Sequence, residues 1–329
     1  MCKNVLIYNS GGGLGDSIQL IPLIESLKKN FINPKILYLG AHENHFENKL
    51  KDYKIKIDTL NLNLKYFGFR WWHLLFVKTR FKKLNIDKFD LIIDLQSKLR
   101  NTLILKKIPH CNFYSSTFSF LFCSKKGNYI ISKNLVESTV KNLEILLQKK
   151  IKLHDFNLSN LDKFFFDEAE RLLPDQNYVG LSIVQGNVYR KKSWPLNKVV
   201  DLCMNLKKNN KTPVFFIEKK DIEVKNKIQK LIPFALFPEH QSNLSSPALV
   251  TSLGKRLDFV ITIDNGIMHM LALAKVPMIS LFGPTDSEKF APNYKKSITL
   301  DSSKIHNTKN ISTITVEDVL TAAKQNLNF

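Results

Sequence analysis

Three short stretches of the sequence gather residue types able to do chemistry. The first is GGGLGD, Gly11 to Asp16, followed by Pro22. Glycines there let a ligand approach the main chain, and Asp16 puts a carboxylate at the entrance to a helix. A helix amino terminus favours an anion, so a fixed negative charge at that point disfavours phosphate and suits an acceptor hydroxyl. Asp16 would also serve as an ordinary helix cap. The second stretch is GNVYRKKSWP, Gly186 to Pro195, a basic loop after an apolar run. Arg190, Lys191 and Lys192 can neutralise phosphate, while Trp194 and Pro195 would stiffen the turn into the next helix. The plainer alternative is a solvated basic loop with Trp194 packed in the core. The third stretch is Asp264, Asn265, Gly266 and His269, followed by LFGPTD, Leu281 to Asp286. Asp264 ends an apolar run, Gly266 lets the chain turn into a helix whose first N–H groups suit a diphosphate, and His269 falls one turn later. As structure alone, DNG is a good turn and the histidine a core residue.

These residues need strand ends and helix starts to position them, and the chain supplies both in alternation. Asn4 to Tyr8, Lys35 to Leu39 and Phe89 to Gln96 read as strands; the unbroken apolar centre of the last suits a parallel strand covered on both faces. A helix is expected to begin near Asp16 and another to run from Leu135 to Gln148, followed by a charged, irregular segment from Lys149 to Gln176. The pattern restarts with strands at Tyr178 to Val184, Pro213 to Glu218, Phe234 to Pro238, Phe259 to Asp264 and Pro277 to Thr285. Between and after them, Leu196 to Lys208, Ile222 to Leu231, Pro247 to Leu253, Met268 to Ala274 and Val316 to Asn326 read as helices. Two successive βα sets imply two doubly wound α/β domains, with ligands at the carboxyl ends of the strands and in a cleft between the domains.

The chain of 329 residues is long enough for two domains with their own cores. With 44% hydrophobic and 24% charged residues, the composition is globular rather than fibrous or low-complexity. Lysine and arginine number 49 against 29 acidic residues, so the surface should attract polyanions, although a lysine-rich composition alone does not choose among nucleic acid, lipid and phosphorylated substrate. Cys2, Cys111, Cys123 and Cys203 lack the paired spacing of a zinc site or disulfide framework, which points to a reducing compartment. No secretory leader and no apolar span are legible, so a cytoplasmic protein is expected.

Taken in order, GDSIQLIP at Gly15 to Pro22, FDLIIDLQSKLRN at Phe89 to Asn101, KSWP at Lys192 to Pro195, DNGIMHMLALAKVP at Asp264 to Pro277, and LFGPTD resemble the motifs of glycosyltransferase family 9, the ADP-heptose heptosyltransferases. The resemblance spans nearly the whole chain. It implies a GT-B fold, two facing Rossmann-like domains with a central cleft: residues 1–160 binding the acceptor and 161–329 the nucleotide sugar, with the last helix a candidate to pack back on the first domain. It implies inverting, metal-independent transfer without a cofactor, from ADP-heptose to a lipopolysaccharide core acceptor. By position, Asp16 matches the general base, in an acceptor loop with Gly13 and Gly15. Lys192 matches the lysine on the donor phosphates, beside Gly186 and Asn187. Asp264 matches the carboxylate on the donor sugar, Asn265 and Gly266 the amides on the diphosphate, and His269 lies on the same donor side. The chain departs from the pattern where family members carry threonine, at Asn265, and hydroxyl residues, at Asn187 and Val188. Asp221 or Glu223 is the expected ribose partner.

Chemically, a carboxylate can take the acceptor's proton as its oxygen attacks the anomeric carbon, and a lysine with helix N–H groups can stabilise the leaving diphosphate. The segment Tyr66 to Lys83 mixes aromatics with Arg70, Lys78, Arg80, Lys82 and Lys83. It is expected either to meet an anionic glycolipid acceptor or the inner membrane surface, or to form an amphipathic helix with its aromatic face buried. Competing readings are a GT-B enzyme acting on another nucleotide sugar, including an epimerase, and a non-catalytic basic protein that binds nucleic acid or a sugar nucleotide. No recognisable nucleic-acid motif is present, so no specific nucleic-acid partner is expected.

Overall fold

Apolar runs of strand length, separated by helices, build two parallel sheets, each with helices to cover both faces. The computed structural model describes residues 3–9, 13–40, 43–64, 69–132, 134–183 and 192–327. The chain divides into two units, Met1–Phe156 and Asn157–Phe329.

The first unit runs β1 (Asn4–Asn9), α1 (Leu14–Gln19), α2 (Ile21–Asn30), β2 (Lys35–Gly40), β3 (Asp58–Thr59), α3 (His73–Lys82), β4 (Phe89–Asp94), α4 (Leu99–Leu105), β5 (His110–Ser115) and α5 (Leu135–Leu147). Its sheet has the order β3-β2-β1-β4-β5, all pairs parallel. The chain leaves β1 in one direction and returns on its other side as β4, so a crevice opens between their carboxyl ends. One face of this sheet carries a core of Leu6, Tyr8, Leu37, Phe89 and Phe113, with Val77 and Phe81 from α3 and Ile104 and Leu105 from α4.

The second unit runs α6 (Lys163–Leu172), β6 (Tyr178–Ser182), α7 (Leu196–Lys208), β7 (Thr212–Phe215), α8 (Ile222–Leu231), α9 (Pro247–Leu253), β8 (Phe259–Ile263), α10 (Gly266–Leu273), β9 (Met278–Phe282), α11 (Ser287–Phe290), β10 (Ser297–Asp301), α12 (Ser302–Ile305) and α13 (Val316–Asn326). Its order is β10-β9-β8-β6-β7, again parallel, with the switch point between β6 and β8. Leu236 forms an isolated parallel bridge with Val214 on the free side of β7. It stands where β3 stands in the first unit, so the two sheets share one order except that β10 adds an edge strand beyond β9.

Several elements differ from the sequence reading. Phe234 to Pro238 contributes only that bridge rather than a strand, held by two main-chain bonds, Phe215 N–H to Leu236 O at 2.8 Å and Leu236 N–H to Pro213 O at 2.9 Å. The segment expected to be irregular contains α6, which buries Phe165, Ala169 and Leu172 at helical spacing and packs on α9. The first helix starts at Leu14, two residues before Asp16. The closing helix α13 spans the residues expected, Val316–Asn326, and packs on α7, β9 and β10.

Gly283 follows β9 where the main chain of Ile311 passes close by: a Cβ there would stand 2.6 Å from Ile311 N and 3.0 Å from its Cα. Backbone cannot yield as a side-chain tip can. Gly283→Ala is therefore expected to cost about 1–3 kcal/mol, read as a lower midpoint in urea unfolding; an unchanged midpoint would show that the strand-end turn is free to move.

Candidate active site

In the first unit the expected acceptor loop is built on the end of β1. Gly13 is the extended N-cap residue of α1, and Asp16, in its first turn, turns its carboxylate back to accept the Gly13 N–H at 3.1 Å. The same glycine leaves room for that carboxylate, since a Cβ would lie 3.1 Å from Asp16 Oδ2. Asp16 and Gly15 are half-buried and Gly13 is exposed. Asp16 is thus both a cap and a carboxylate held by a main-chain donor. Beneath it, the Tyr38 hydroxyl donates to Asn9 O at 3.3 Å. Burial, with the nearby Asp16 charge adding to it, pushes that phenol up to about 12, so Tyr38 remains a donor at neutral pH.

The crevice between β1 and β4 is tied at its mouth, where Gln96 Nε2 donates to Asn9 Oδ1 at 2.9 Å. Gln96 is set by Asp94, which ends β4 fully buried and accepts from the Gln96 N–H at 3.0 Å, from Thr102 at 2.5 Å and from Ser115 at 2.9 Å. Burial raises the Asp94 carboxyl above the usual carboxylate range, and these donors pull it back only in part.

In the second unit the corresponding crevice holds the donor-side residues. Lys192 Nζ donates to the carboxylate of Asp264, just past the end of β8. It also reaches Asp264 O at 3.4 Å. Both side chains are almost out of solvent, 9% and 10% exposed. Lys192 and Asp264, expected in separate roles, form one buried ion pair. Next to it, Asn265 caps α10, accepting from Met268 N–H at 3.1 Å, while its Nδ2 donates to Ser182 Oγ, at the end of β6, at 2.8 Å. That bond crosses the β6–β8 switch point. The first N–H groups of α10, starting at Gly266, have no intrahelical acceptor by helix geometry and carry the positive end of the helix dipole. His269 is buried one turn further on.

The loop after β6 is anchored where it ends. Trp194 is buried and donates from Nε1 to Ile314 O at 3.0 Å, an acceptor shared with Lys198 Nζ at 2.8 Å. Pro195 then caps α7. Gly186 and Asn187, with Val188, Arg190 and Lys191, lie outside the described residues.

Of the two expected ribose partners, Asp221 occupies the N-cap position of α8 half-buried and Glu223 is exposed in its first turn. The structure adds Glu239, which the sequence reading missed. It lies buried under the loop that follows β7, and its Oε2 has no hydrogen-bond partner. Burial and the nearby Glu218 charge push this carboxyl up to about 7. Ser182, Asn9, Gln96 and Asp94 were likewise missed as site residues. Their shared signal is a polar residue closing an apolar run.

The residues from 78 to 320 match the model of glycosyltransferase family 9 (heptosyltransferase). A curated relative is lipopolysaccharide heptosyltransferase 1 of Campylobacter coli, 23% identical over an aligned stretch of 263 positions that covers 73% of this chain and 76% of that protein. Among solved structures, a family 9 glycosyltransferase from Veillonella parvula superposes with a TM-score of 0.69 at 20% identity, covering 99% of this chain and 97% of its own. The E. coli heptosyltransferase WaaC with ADP superposes with a TM-score of 0.66 at 16% identity, covering 98% and 99%. The two Rossmann-like units in series are those of the GT-B fold.

Two outcomes are expected. Asp264→Asn should destabilise the protein by about 3–5 kcal/mol, because it strands the Lys192 charge, and Lys192→Met with Asp264→Leu should recover most of that loss; equal unfolding midpoints for the single and double variants would show that the pair is not buried as a pair. For Glu239, the folded value lies above the ordinary glutamate value of 4.5, so its contribution is complete below pH 4.5 and is lost as pH rises through about 7. Glu239→Gln should flatten the fall in melting temperature across that window, whereas a parallel pH profile would remove Glu239 as its cause.

Proposed function

This chain belongs to glycosyltransferase family 9, the heptosyltransferases, and on that premise we propose that it transfers heptose from ADP-heptose to a lipopolysaccharide core acceptor, with inversion and without a metal ion or other cofactor. The observation that carries the donor assignment is the Lys192–Asp264 pair beside the start of α10, at the switch point of the second unit. A lysine held by a carboxylate and flanked by helix N–H groups is a charge-balanced receptor whose cation can be handed to a phosphate. The Campylobacter relative's name and the ADP with WaaC support the same donor class.

In this reading the second unit binds the nucleotide sugar and the first the acceptor. Asp16 takes the proton of the acceptor hydroxyl as its oxygen forms a bond to the anomeric carbon. The bond from that carbon to the diphosphate oxygen breaks on the opposite face, its electron pair leaves with ADP, and the configuration inverts. Lys192 Nζ shifts from the Asp264 carboxylate to the diphosphate, and the N–H groups at Gly266 share the developing charge. The released carboxylate of Asp264 accepts hydrogen bonds from the sugar hydroxyls. Asn265 keeps α10 aimed by its cap and its bond to Ser182, which a threonine side chain could not do with the same amide donor. His269, buried one turn further on, supports this end of the helix, and Gly186 and Asn187 are assigned to the diphosphate by position in the sequence.

Because the acceptor is an anionic glycolipid, we place the reaction at the cytoplasmic face of the inner membrane, with the protein attached peripherally. No helix among the described residues is long and apolar enough to cross a membrane.

A thermal-shift panel of ADP-, UDP- and GDP-sugars tests the donor: stabilisation by ADP-heptose above the others is expected, and a stronger response to a UDP- or GDP-sugar would reassign it. With acceptor present, Lys192→Ala should lower the rate of ADP release by about a hundredfold or more. Asp16→Ala should abolish release while leaving the ADP-heptose shift intact; full activity in that variant would remove Asp16 as the base.

A further inference from the structure

Helix α3 has two apolar sides. One faces the core: His73, Val77 and Phe81 are buried at steps of four residues, 2%, 0% and 1% exposed. The amphipathic alternative would place the aromatics of this segment there as well. Instead, Trp71, Trp72, Leu75 and Phe76 are 53%, 47%, 76% and 52% exposed. Trp72, Leu75 and Phe76 recur at helical spacing on the side away from the core, in the first turn and a half. Four large apolar side chains exposed together are unlike the single exposed leucines of any protein surface, and such a patch marks an interaction site.

The remainder of that outward side is cationic. Lys78, Arg80, Lys82 and Lys83 are exposed in the later turns and Arg70 just before the helix, with no acidic residue anywhere from 70 to 86. Among the described residues no carboxylate forms a salt bridge with any of these five. Arg100 and Arg70 join burial in holding the His73 imidazole below its usual value, which is consistent with a positive surrounding of the helix.

We propose that the outward side of α3 is an interfacial membrane anchor that lies on an anionic lipid surface, with Trp71, Trp72, Leu75 and Phe76 entering the headgroup–acyl boundary and the lysines and arginines on the lipid phosphates. Tryptophan favours that boundary, and a helix with aromatic and leucine side chains beside a lysine- and arginine-rich stretch is the pattern of an in-plane anchor. Charge complementarity excludes a second copy of the same face, since two-fold pairing would set cations against cations. The outward side includes the exposed Leu75, which offers no stacking surface to a nucleobase. The proposal rests on the glycolipid-acceptor reading for its purpose, because an anchor in the acceptor unit holds the enzyme where a lipid-linked substrate lies. Its test needs no acceptor.

The protein has three tryptophans, and Trp194 is buried and hydrogen-bonded in the second unit. Emission changes on lipid addition therefore report Trp71 and Trp72. The full-length chain is titrated with phosphatidylglycerol–phosphatidylethanolamine vesicles free of glycolipid, and in parallel with pure phosphatidylcholine vesicles. A blue shift with the anionic vesicles, weakened by salt, is expected, together with quenching by lipids brominated in the upper acyl chain. Substituting Trp72, Leu75 and Phe76 by Ser should lower vesicle partitioning by roughly tenfold or more, and substituting Lys78, Arg80, Lys82 and Lys83 by Gln should remove the preference for anionic lipid. Unchanged melting temperatures confirm that these surface variants fold. Equal partitioning by the Ser variant overturns the proposal. So does self-association, or binding of single-stranded RNA, that the same substitutions abolish while vesicles leave the emission unmoved. Loss of vesicle binding with ADP-heptose stabilisation retained separates failure of the anchor from failure of the enzymatic assignment.

Discussion

A lysine and an aspartate facing each other almost out of water set the terms for the second unit. Burying either charge without the other would be costly, since an isolated ion in a low-dielectric interior costs several kcal/mol even after relaxation. Together they compensate, beside the first turn of α10, whose main-chain N–H groups supply further polar partners. That makes the pair a poor source of net stability and a good receptor. A phosphate can relieve the aspartate of its lysine, and sugar hydroxyls can relieve the lysine of its aspartate, without either ion being left unpaired. The pair stores no attraction that a ligand would have to defeat outright; it exchanges one set of charge-assisted contacts for another.

Both units solve the same positional problem in the same way. A doubly wound sheet opens a crevice where the chain changes direction, between β1 and β4 and again between β6 and β8. The crevice is useful only if its two walls are fixed relative to each other, and in each unit a side-chain amide bridges them: Gln96 to Asn9 in the first, Asn265 to Ser182 in the second. The donor sides differ in how the bridge is itself held. Gln96 depends on the buried Asp94 and its hydroxyl partners, whereas Asn265 is held by capping its own helix. Substituting threonine for asparagine at position 265 would keep a cap and lose the amide that reaches Ser182, so the departure from the family pattern is compensated locally.

What could be read from the sequence follows from burial. The central strands β1, β4, β6, β8 and β9 are covered on both faces, so they are written as unbroken apolar runs and were legible. The edge strand β10 has only its last residue buried, and β5 begins with His110 and an exposed Cys111; neither carries that signal. Helix α6 shows apolar spacing only through Phe165, Ala169 and Leu172 amid charge, and Phe234 to Pro238, though apolar, has room for a single bridge. Candidate site residues were legible where a motif joined a carboxylate or lysine to a turn, as at Asp16, Lys192 and Asp264. That Lys192 and Asp264 are mutual partners was not, because they are far apart in sequence and meet only through the fold. Glu239 was hidden for the opposite reason: nothing in PEHQ distinguishes a buried acid from an exposed one.

The excess of positive charge takes on meaning once its locations are separated. Most lysines among the described residues are exposed, in loops and turns as well as on helices, where water and salt screen them and where they express composition more than function. Lys192 is the exception in depth, buried against one carboxylate. The α3 cluster is the exception in surroundings, exposed beside tryptophans and with no acid near it in sequence. A cation acts selectively only where something other than water limits its partners: low dielectric in the first case, an adjoining apolar surface in the second. Lys192 and the α3 cluster both meet that condition. In the proposed reading the first serves a diphosphate and the second a phosphate-bearing lipid surface, as a transferase working between a soluble nucleotide sugar and a membrane-held acceptor would require.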